Sequence, residues 1–200
     1  MDYSKENYIT RDPNIKEWES HLNSMILLQY SDILTGDVVD FGCNHGACTI
    51  IAARNKNIKS MTGIDINPNS IEIAKKLVSS CEEETSVKQK LNYFVENLIS
   101  LENISDNQFD SAFSFHTLEH IYPEDLDLVL YEWKRVIKKE GHIVVSVPYL
   151  YAYNDTCHVN FFDEESLSKL FSKNGFFVKE SYRDQRENFD CLNLVCQVKK

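Results

Sequence analysis

Two hydrophobic rhythms alternate along this chain. Short, mostly apolar runs recur, and between them apolar residues return every three or four positions. The first pattern predicts buried strands, the second helices with one face turned inward. The runs are Asp37–Phe41, Ser60–Ile64, Leu91–Val95, Phe109–Phe115, His142–Val147, Phe176–Tyr182 and Cys191–Val198. A helix is predicted over residues 12–34, with Asp12 as cap, Pro13 in the first turn, and Ile15, Trp18, Leu22 and Ile26 on one face. A second follows over Ala47–Arg54. Asn67 and Pro68 open a third that runs to about Glu83, with Ile71, Ala74, Leu77 and Val78 inward. Tyr122-Pro123 opens a fourth through Leu126, Val129, Leu130, Trp133 and Ile137, ended by Gly141. Asp163 caps a fifth, with Leu167, Leu170 and Phe171 inward and Gly175 as its C-cap. Five strand–helix alternations imply an α/β fold with a mostly parallel sheet and helices on both faces. The last two strands lack a helix between them, so they are expected to pair as a C-terminal antiparallel hairpin.

Two hundred residues suit one domain with a sizeable core, here an N-terminal helical cap over 1–35 and a core over 36–200. A hydrophobic share of 42% against 26% charged is that of a water-soluble globular protein. The net charge of −10 (21 basic against 31 acidic residues) disfavours nucleic acid backbones and anionic membranes. No C-x-x-C pair occurs among Cys43, Cys48, Cys81, Cys157, Cys191 and Cys196, so they read as small buried residues in a reducing compartment. The polar start, Met1 to Asn14, lacks a signal-peptide core, and no apolar run is long enough to span a bilayer. A cytoplasmic location and no membrane partner are the expectations. The run Glu82-Glu83-Glu84 reads as a solvated helix end.

The stretch Val38-Val39-Asp40-Phe41-Gly42-Cys43-Asn44-His45-Gly46 is a strand ending in an acid, a glycine turn and a helix start. Doubly wound proteins build nucleoside-binding crevices this way. Asp65 ends the next strand, where an acid accepts hydrogen bonds from both ribose hydroxyls; the plain alternative is a cap for the helix after Asn67. A dinucleotide loop needs three glycines to approach a pyrophosphate, and here Asn44 and His45 stand between Gly42 and Gly46. With Asp40 adjacent, a cationic nucleoside is the better match, and S-adenosyl-L-methionine carries a sulfonium and an amino group.

From about Val38 to Lys199 the chain resembles the class I S-adenosylmethionine-dependent methyltransferases, of the type acting on quinones, sugars and secondary metabolites. The resemblance rests on VVDFGCNHG, GIDINPNSIEIAKK, FVENLISL, FDSAFSFHTLEHI, EGHIVVSVP and HVNFFDEESLSKLFSKNGF, in that order and spacing. It implies a Rossmann-like, seven-stranded sheet, and it implies residue roles. Asp40, Gly42 and Cys43 would face the methionine part of the cofactor, with Gly46 letting the loop pass close beneath. Asp65 would take the ribose, Ile66 would lie on adenine, and Asn97 (where the family usually has Asp) and Leu98 would meet the adenine edge. Ser114 and His116 would lie under the sulfonium. Asn44 replaces a glycine of the commonest loop, and Asn tolerates a left-handed backbone.

Methyl transfer asks mainly for alignment and desolvation, and for a base only when the acceptor must lose a proton. The candidates for the reacting end are His116, His120 and His158, with Glu119 among them. Two readings stay open. In one, His116, Glu119, His120 and His158 form a divalent metal site or a pair of bases; the metal reading, with Glu119, His120 and His158 as candidate ligands, follows the resemblance to methyltransferases with an E-x-x-E-H segment, where His116 stands in place of the first Glu. Alternatively they buttress loops. Tyr149, Tyr151, Tyr153, Phe161 and Phe162, with Tyr3, Tyr8 and Trp18, are read as an aromatic acceptor lining or as loop packing, the latter preferred for Phe161 and Phe162. The leading expectation is a methyltransferase for a small-molecule O or N acceptor. The alternatives are a metal-assisted RNA-terminal 2′-O-methyltransferase and a non-catalytic binder of the cofactor.

Overall fold

The computed structural model describes residues 14–150, 156–186 and 189–200. Asp12, Pro13, Tyr3, Tyr8, Tyr151 and Tyr153 lie outside the described residues. Seven strands form one sheet: β1 Gly36–Phe41, β2 Ile58–Asp65, β3 Leu91–Val95, β4 Phe109–Phe115, β5 Ile137–Pro148, β6 Phe176–Arg186 and β7 Phe189–Val198. Their order across the sheet is β3-β2-β1-β4-β5-β7-β6. Strands β1 to β5 run parallel, and β7 is antiparallel to both β5 and β6. The expected hairpin is therefore present, with β7 inserted beside β5 and β6 at the edge. The chain reverses its direction of winding between β1 and β4, and a crevice opens at their carboxyl ends.

The helices are α1 Ile15–Glu19, α2 Leu22–Gln29, α3 Ala47–Ala53, α4 Pro68–Ser80, α5 Thr85–Lys88, α6 Leu126–Val136 and α7 Glu164–Lys173. One face of the sheet buries Phe41, Trp133, Val145 and Phe171 beneath α6 and α7. The other buries Val38, Ile50, Phe113 and Val144 beneath α1, α2 and α3. Phe41 and Trp133 stack with centroids 4.7 Å apart. Burying an aromatic or branched side chain of this size stabilises by about 1.5–3 kcal/mol, so these two layers hold the crevice rigid from below.

The helix bounds differ from the sequence reading in four places. The N-terminal helix breaks at Ser20–His21: His21 turns extended (ψ 148) and its Nδ1 accepts from the Asn23 amide at 3.3 Å. Ser24 Oγ donates to the Trp18 carbonyl at 2.5 Å across the break. Two polar residues that bond backbone locally outweigh continuous helix here. Next, α4 stops at Ser80 rather than near Glu83, and the separate turn α5 follows. Tyr122 and Pro123 precede α6 instead of opening it, because Asp125 bonds back to the Tyr122 carbonyl and caps Leu126. Finally, Gly141 does not end α6. The helix stops at Val136, Ile137 pairs with Phe109, and the ladder resumes at Ser111 and His142 after an irregularity. A Cβ on Gly141 would sit 2.7 Å from the Asp110 carbonyl, so this glycine serves close strand approach. Cys157 is exposed, against the expectation of burial, whereas Cys43, Cys191 and Cys196 are buried.

Candidate functional site

The turn after β1 is built from residues in the left-handed region: Gly42 (φ 78), Asn44 (φ 47) and Gly46 (φ 79). A side chain on Gly42 would collide with Thr117, whose hydroxyl donates to the Phe41 carbonyl at 3.1 Å. The turn is thereby pressed against the end of β4 with its backbone exposed to the crevice. Asn44 takes the third left-handed position, and its side-chain oxygen accepts from Ser70 Oγ at 3.1 Å.

The two acids sit differently. Asp65 Oδ2 accepts from the Asn44 amide at 2.8 Å and Oδ1 from the Asn67 amide at 2.9 Å. It fastens the turn to the end of β2, while Asn67 itself caps α4. Burial raises the Asp65 pKa and the backbone amides oppose that rise. Each carboxylate oxygen keeps a further lone pair for a ligand hydroxyl. Asp40 is deeper, 3% exposed, with Oδ2 accepting from Thr49 Oγ1 at 2.6 Å. Burial pushes its pKa up to about 7, against the Thr49 hydrogen bond and with the nearby Asp65 charge adding to the rise.

Two cavities share Gly42, Asn44, His116 and His120. The first to consider holds about 260 Å³ and is lined by Asp65, Ile66, Ser70, Asn97, Leu98, Thr117 and Ile121. Asn97 Oδ1 accepts from the Ile99 amide at 3.1 Å, which orients its carboxamide. This cavity has an acid at one end and apolar walls (Ile66, Leu98), the chemistry of a nucleoside site. The other holds about 400 Å³, with Asp40, Cys43 and Trp18 in its wall. Five of the six histidines line it: His21, His45, His116, His120 and His158.

The chain brings the predicted reacting residues together through one clamp. The 3₁₀ turn Leu118–His120 follows β4, and Asn160 Nδ2 donates to the Leu118 carbonyl at 2.9 Å and to the Ile121 carbonyl. The Val159 and Asn160 amides donate to the Glu119 carbonyl at 2.8 and 3.1 Å. His158 is thus laid against His120, ring centroids 4.9 Å apart and nearly perpendicular. His116 has a left-handed backbone (φ 54), with Nδ1 3.4 Å from Glu119 Oε1 and Nε2 3.9 Å from Cys191 Sγ. Burial works against its charge, but Cys191 and Glu119 outweigh burial and raise its pKa to about 10.

Some predicted residues stand elsewhere. Ser114 is buried outside both cavities, and its hydroxyl donates to the Phe41 carbonyl at 2.9 Å, tying β4 to β1. Gly46 faces Tyr93 and Ala74 rather than the cavities, and lets α3 start close to them. Tyr149 lies under the Arg183 guanidinium, 3.8 Å from the ring centroid. Phe162 is buried and Phe161 is 40% exposed. Sequence reasoning missed His21, His45, Asn23 and Phe189. Trp18 lies 4.5 Å from the His21 ring and 5.2 Å from the His45 ring, centroid to centroid. His21 and Trp18 share one side of the α1–α2 break, a signal that only the break itself reveals. Burial lowers the pKa of His45, and lowers that of His21 together with the nearby His116.

A parallel sheet of this order, a glycine turn pressed against the neighbouring strand, and acids closing β1 and β2 define a nucleoside-binding methyltransferase fold. Residues 39–145 match the family model for a methyltransferase domain, more than half of the chain, and the chain belongs to that family of S-adenosylmethionine-dependent enzymes. Solved structures agree in fold. A S-adenosylmethionine-dependent methyltransferase from Methanosarcina mazei is 20% identical, covering 87% of this chain and 97% of its own, with a TM-score of 0.72. The N-methyltransferase NodS from Bradyrhizobium japonicum is 18% identical, covering 95% and 100%, with a TM-score of 0.70. The 1,6-didemethyltoxoflavin-N1-methyltransferase from Burkholderia thailandensis is 17% identical, covering 92% and 81%, with a TM-score of 0.69. No curated protein matches the sequence. Among the described residues, no helix is long and apolar enough to cross a membrane. The residues fit the chemistry of the cofactor: the bare Gly42 backbone, Asp65 with lone pairs still open and the apolar pair Ile66–Leu98 line one cavity of about 260 Å³.

Proposed function

We propose that the enzyme methylates a small-molecule O or N acceptor held in the histidine-lined cavity. The observation that carries this reading is that cavity's size and position. At about 400 Å³ it lies in the range of small-molecule sites and shares a wall with the nucleoside cavity. NodS and the toxoflavin enzyme, by name, methylate nitrogen atoms, the latter's structure holding its small acceptor. The net charge of −10 supports a small acceptor over a nucleic acid.

S-adenosylmethionine supplies a methyl group already activated by its sulfonium. The chain's residues bind and align it. In this reading Asp65 accepts from the ribose hydroxyls, Ile66 and Leu98 sandwich the adenine, and Asn97 meets its amino edge. Asp40, Cys43 and the Gly42 backbone face the methionine end, and Gly46 lets the turn pass beneath it. Ser114 acts from behind by tying β4 to β1 below the crevice. His116, at the junction of both cavities, and His120 and His158 bound the acceptor. Trp18, His21 and Phe189 close the cavity and exclude water, which strengthens polar contacts inside.

The test is calorimetry followed by an acceptor screen read by release of S-adenosylhomocysteine. Binding of the cofactor at roughly micromolar Kd and turnover on a small hydroxyl or amine compound are expected. No cofactor binding by the wild type would sink the reading. Turnover on RNA ends alone would replace the acceptor class.

A further inference from the structure

The break between α1 and α2 puts a hydrogen-bond donor and an acceptor on one short turn of the histidine cavity. His21 Nδ1 accepts from the Asn23 amide at 3.3 Å. Burial, together with the nearby His116, lowers the His21 pKa and keeps the ring neutral. A neutral imidazole that accepts at Nδ1 carries its proton on Nε2. The far side of the ring is therefore a donor, and His21 stands in the cavity wall. Asn23 stands in the same wall. It is 4% exposed, and its Oδ1 has no hydrogen-bond partner among the described residues. A buried amide oxygen left unbonded is costly, so a fold that keeps one keeps it for a donor. The surroundings narrow what that donor belongs to. Among the described residues, no lysine or arginine lines the cavity. Its acids are committed: Glu119 faces His116 Nδ1 at 3.4 Å, and Asp40 accepts from Thr49 Oγ1. Burial holds His45 below the usual imidazole range. An anionic guest would be buried there without a counter-charge of its own. The walls are flat. Trp18 meets His45, and His21 meets Phe189, edge to face with centroids 5.2 Å apart in both pairs. Rings locked against one another in this way offer a slot to a further ring.

We propose that the methyl acceptor is an uncharged, planar heteroaromatic compound with a ring N–H beside a carbonyl, read by His21 Nε2 donating to the carbonyl and Asn23 Oδ1 accepting from the N–H. This rests on the small-molecule reading above and narrows it to one chemical class. His21 and Asn23 are specificity-determining residues in it and take no part in the transfer itself. The aromatic walls hold the plane of the ring, and the α1–α2 break fixes one edge. The opposite edge is left for the junction at His116, where the two cavities meet. A saturated ring loses the flat contacts, and a phosphate or carboxylate meets no unpaired cation. A ring without the paired edge leaves the Asn23 oxygen and the His21 N–H unbonded, which is how a polar site rejects a near-isostere.

The test uses the full chain saturated with S-adenosylhomocysteine and titrated, by calorimetry at pH 7.5, with four probes. Quinolin-2(1H)-one is flat and carries the N–H and carbonyl pair. Quinoline is flat without it, quinoline-2-carboxylate is flat and anionic, and piperidin-2-one has the pair without the aromatic plane. The quinolinone is expected to bind at least about tenfold more tightly than each of the others. Asn23→Ala and His21→Phe are each expected to bring the quinolinone-to-quinoline ratio close to one, while S-adenosylhomocysteine still binds. A merely structural role would weaken both probes alike and leave the ratio where it was. His142→Ala, on a histidine outside the cavity, is expected to keep the wild-type ratio. Wild-type protein that binds S-adenosylhomocysteine but takes quinoline or the carboxylate as tightly as the quinolinone overturns this proposal and leaves the methyltransferase reading standing. A ratio that survives both Asn23→Ala and His21→Phe also overturns it. A wild-type chain that binds no S-adenosylhomocysteine overturns the functional reading instead.

Discussion

The two cavities meet at Gly42, Asn44, His116 and His120, yet they are made in opposite ways. In the nucleoside cavity the polar groups are already committed. Asp65 accepts two backbone amides, Asn97 accepts one, and Asn44 accepts from Ser70. In the histidine cavity several buried polar atoms lack such bonds: His45 Nδ1 and Asn23 Oδ1 have no hydrogen-bond partner among the described residues, and Glu119 has only the longer approach of His116 Nδ1 at 3.4 Å. A site that recognises one constant ligand can be pre-bonded and rigid. Both ligands leave changed, but the adenosine part of the cofactor does not react, whereas a site for a reacting group keeps unspent polar groups for it. The donor half is therefore argued from its backbone, the acceptor half from its unsatisfied side chains.

The sharpest way to break this comparison is Asp65→Ala. It removes the proposed ribose acceptor and the fastening of the turn, so cofactor affinity should fall roughly 10²–10³-fold in calorimetry, the loss of two charge-assisted hydrogen bonds. Retained affinity would mean that the turn alone binds.

Asp40 separates binding from stability. Its folded pKa of about 7 lies above the ordinary carboxylate value, so the folded chain holds a proton that the unfolded chain releases. Its contribution to stability is fully present below about pH 4 and is lost as pH rises through 7. Asp40→Asn should then raise stability at pH 8 by roughly 2–4 kcal/mol and change little at pH 4, in denaturant melts at each pH. With Asp40 facing the cationic end of the cofactor as proposed, cofactor affinity should weaken about tenfold per unit below pH 7 in the wild type and lose that dependence in Asp40→Asn.

Gly42→Ala tests the pressed turn. The left-handed backbone and the Thr117 collision together predict a loss of about 1–3 kcal/mol, with cofactor affinity falling in parallel. The smallest effect belongs to the other cavity. His45→Ala should raise the acceptor KM several-fold, an effect of about 1 kcal/mol, and leave cofactor affinity unchanged. If it shifts both, the cavities are not separate in function.

The donor half was legible because its parts are contiguous. Val38 to Gly46 and Gly63 to Pro68 each carry strand, turn, acid and helix start within a few residues. The acceptor half gathers side chains from the α1–α2 break, the first turn, the 3₁₀ turn, the end of β5 and the start of β7, which no periodicity links. His21 read as the interior of one helix because Ile15, Trp18, Leu22 and Ile26 keep their spacing across the break. Ile137 likewise continues the helical rhythm of α6, and only its pairing with Phe109 shows that the sheet claims it. At Ile137 a tertiary partner overrode the local pattern, whereas at the α1–α2 break local bonds from His21 and Ser24 to the backbone did.

The break before α2 has one more consequence. The amide of Asn23, the second residue of that helix, is satisfied by an imidazole that also lines the histidine cavity. A molecule that captures His21 Nδ1 must release the Asn23 amide. The helix start thus doubles as a gauge of occupancy: the Asn23 amide resonance and its exchange with solvent would register a guest in the cavity before any methyl group has moved.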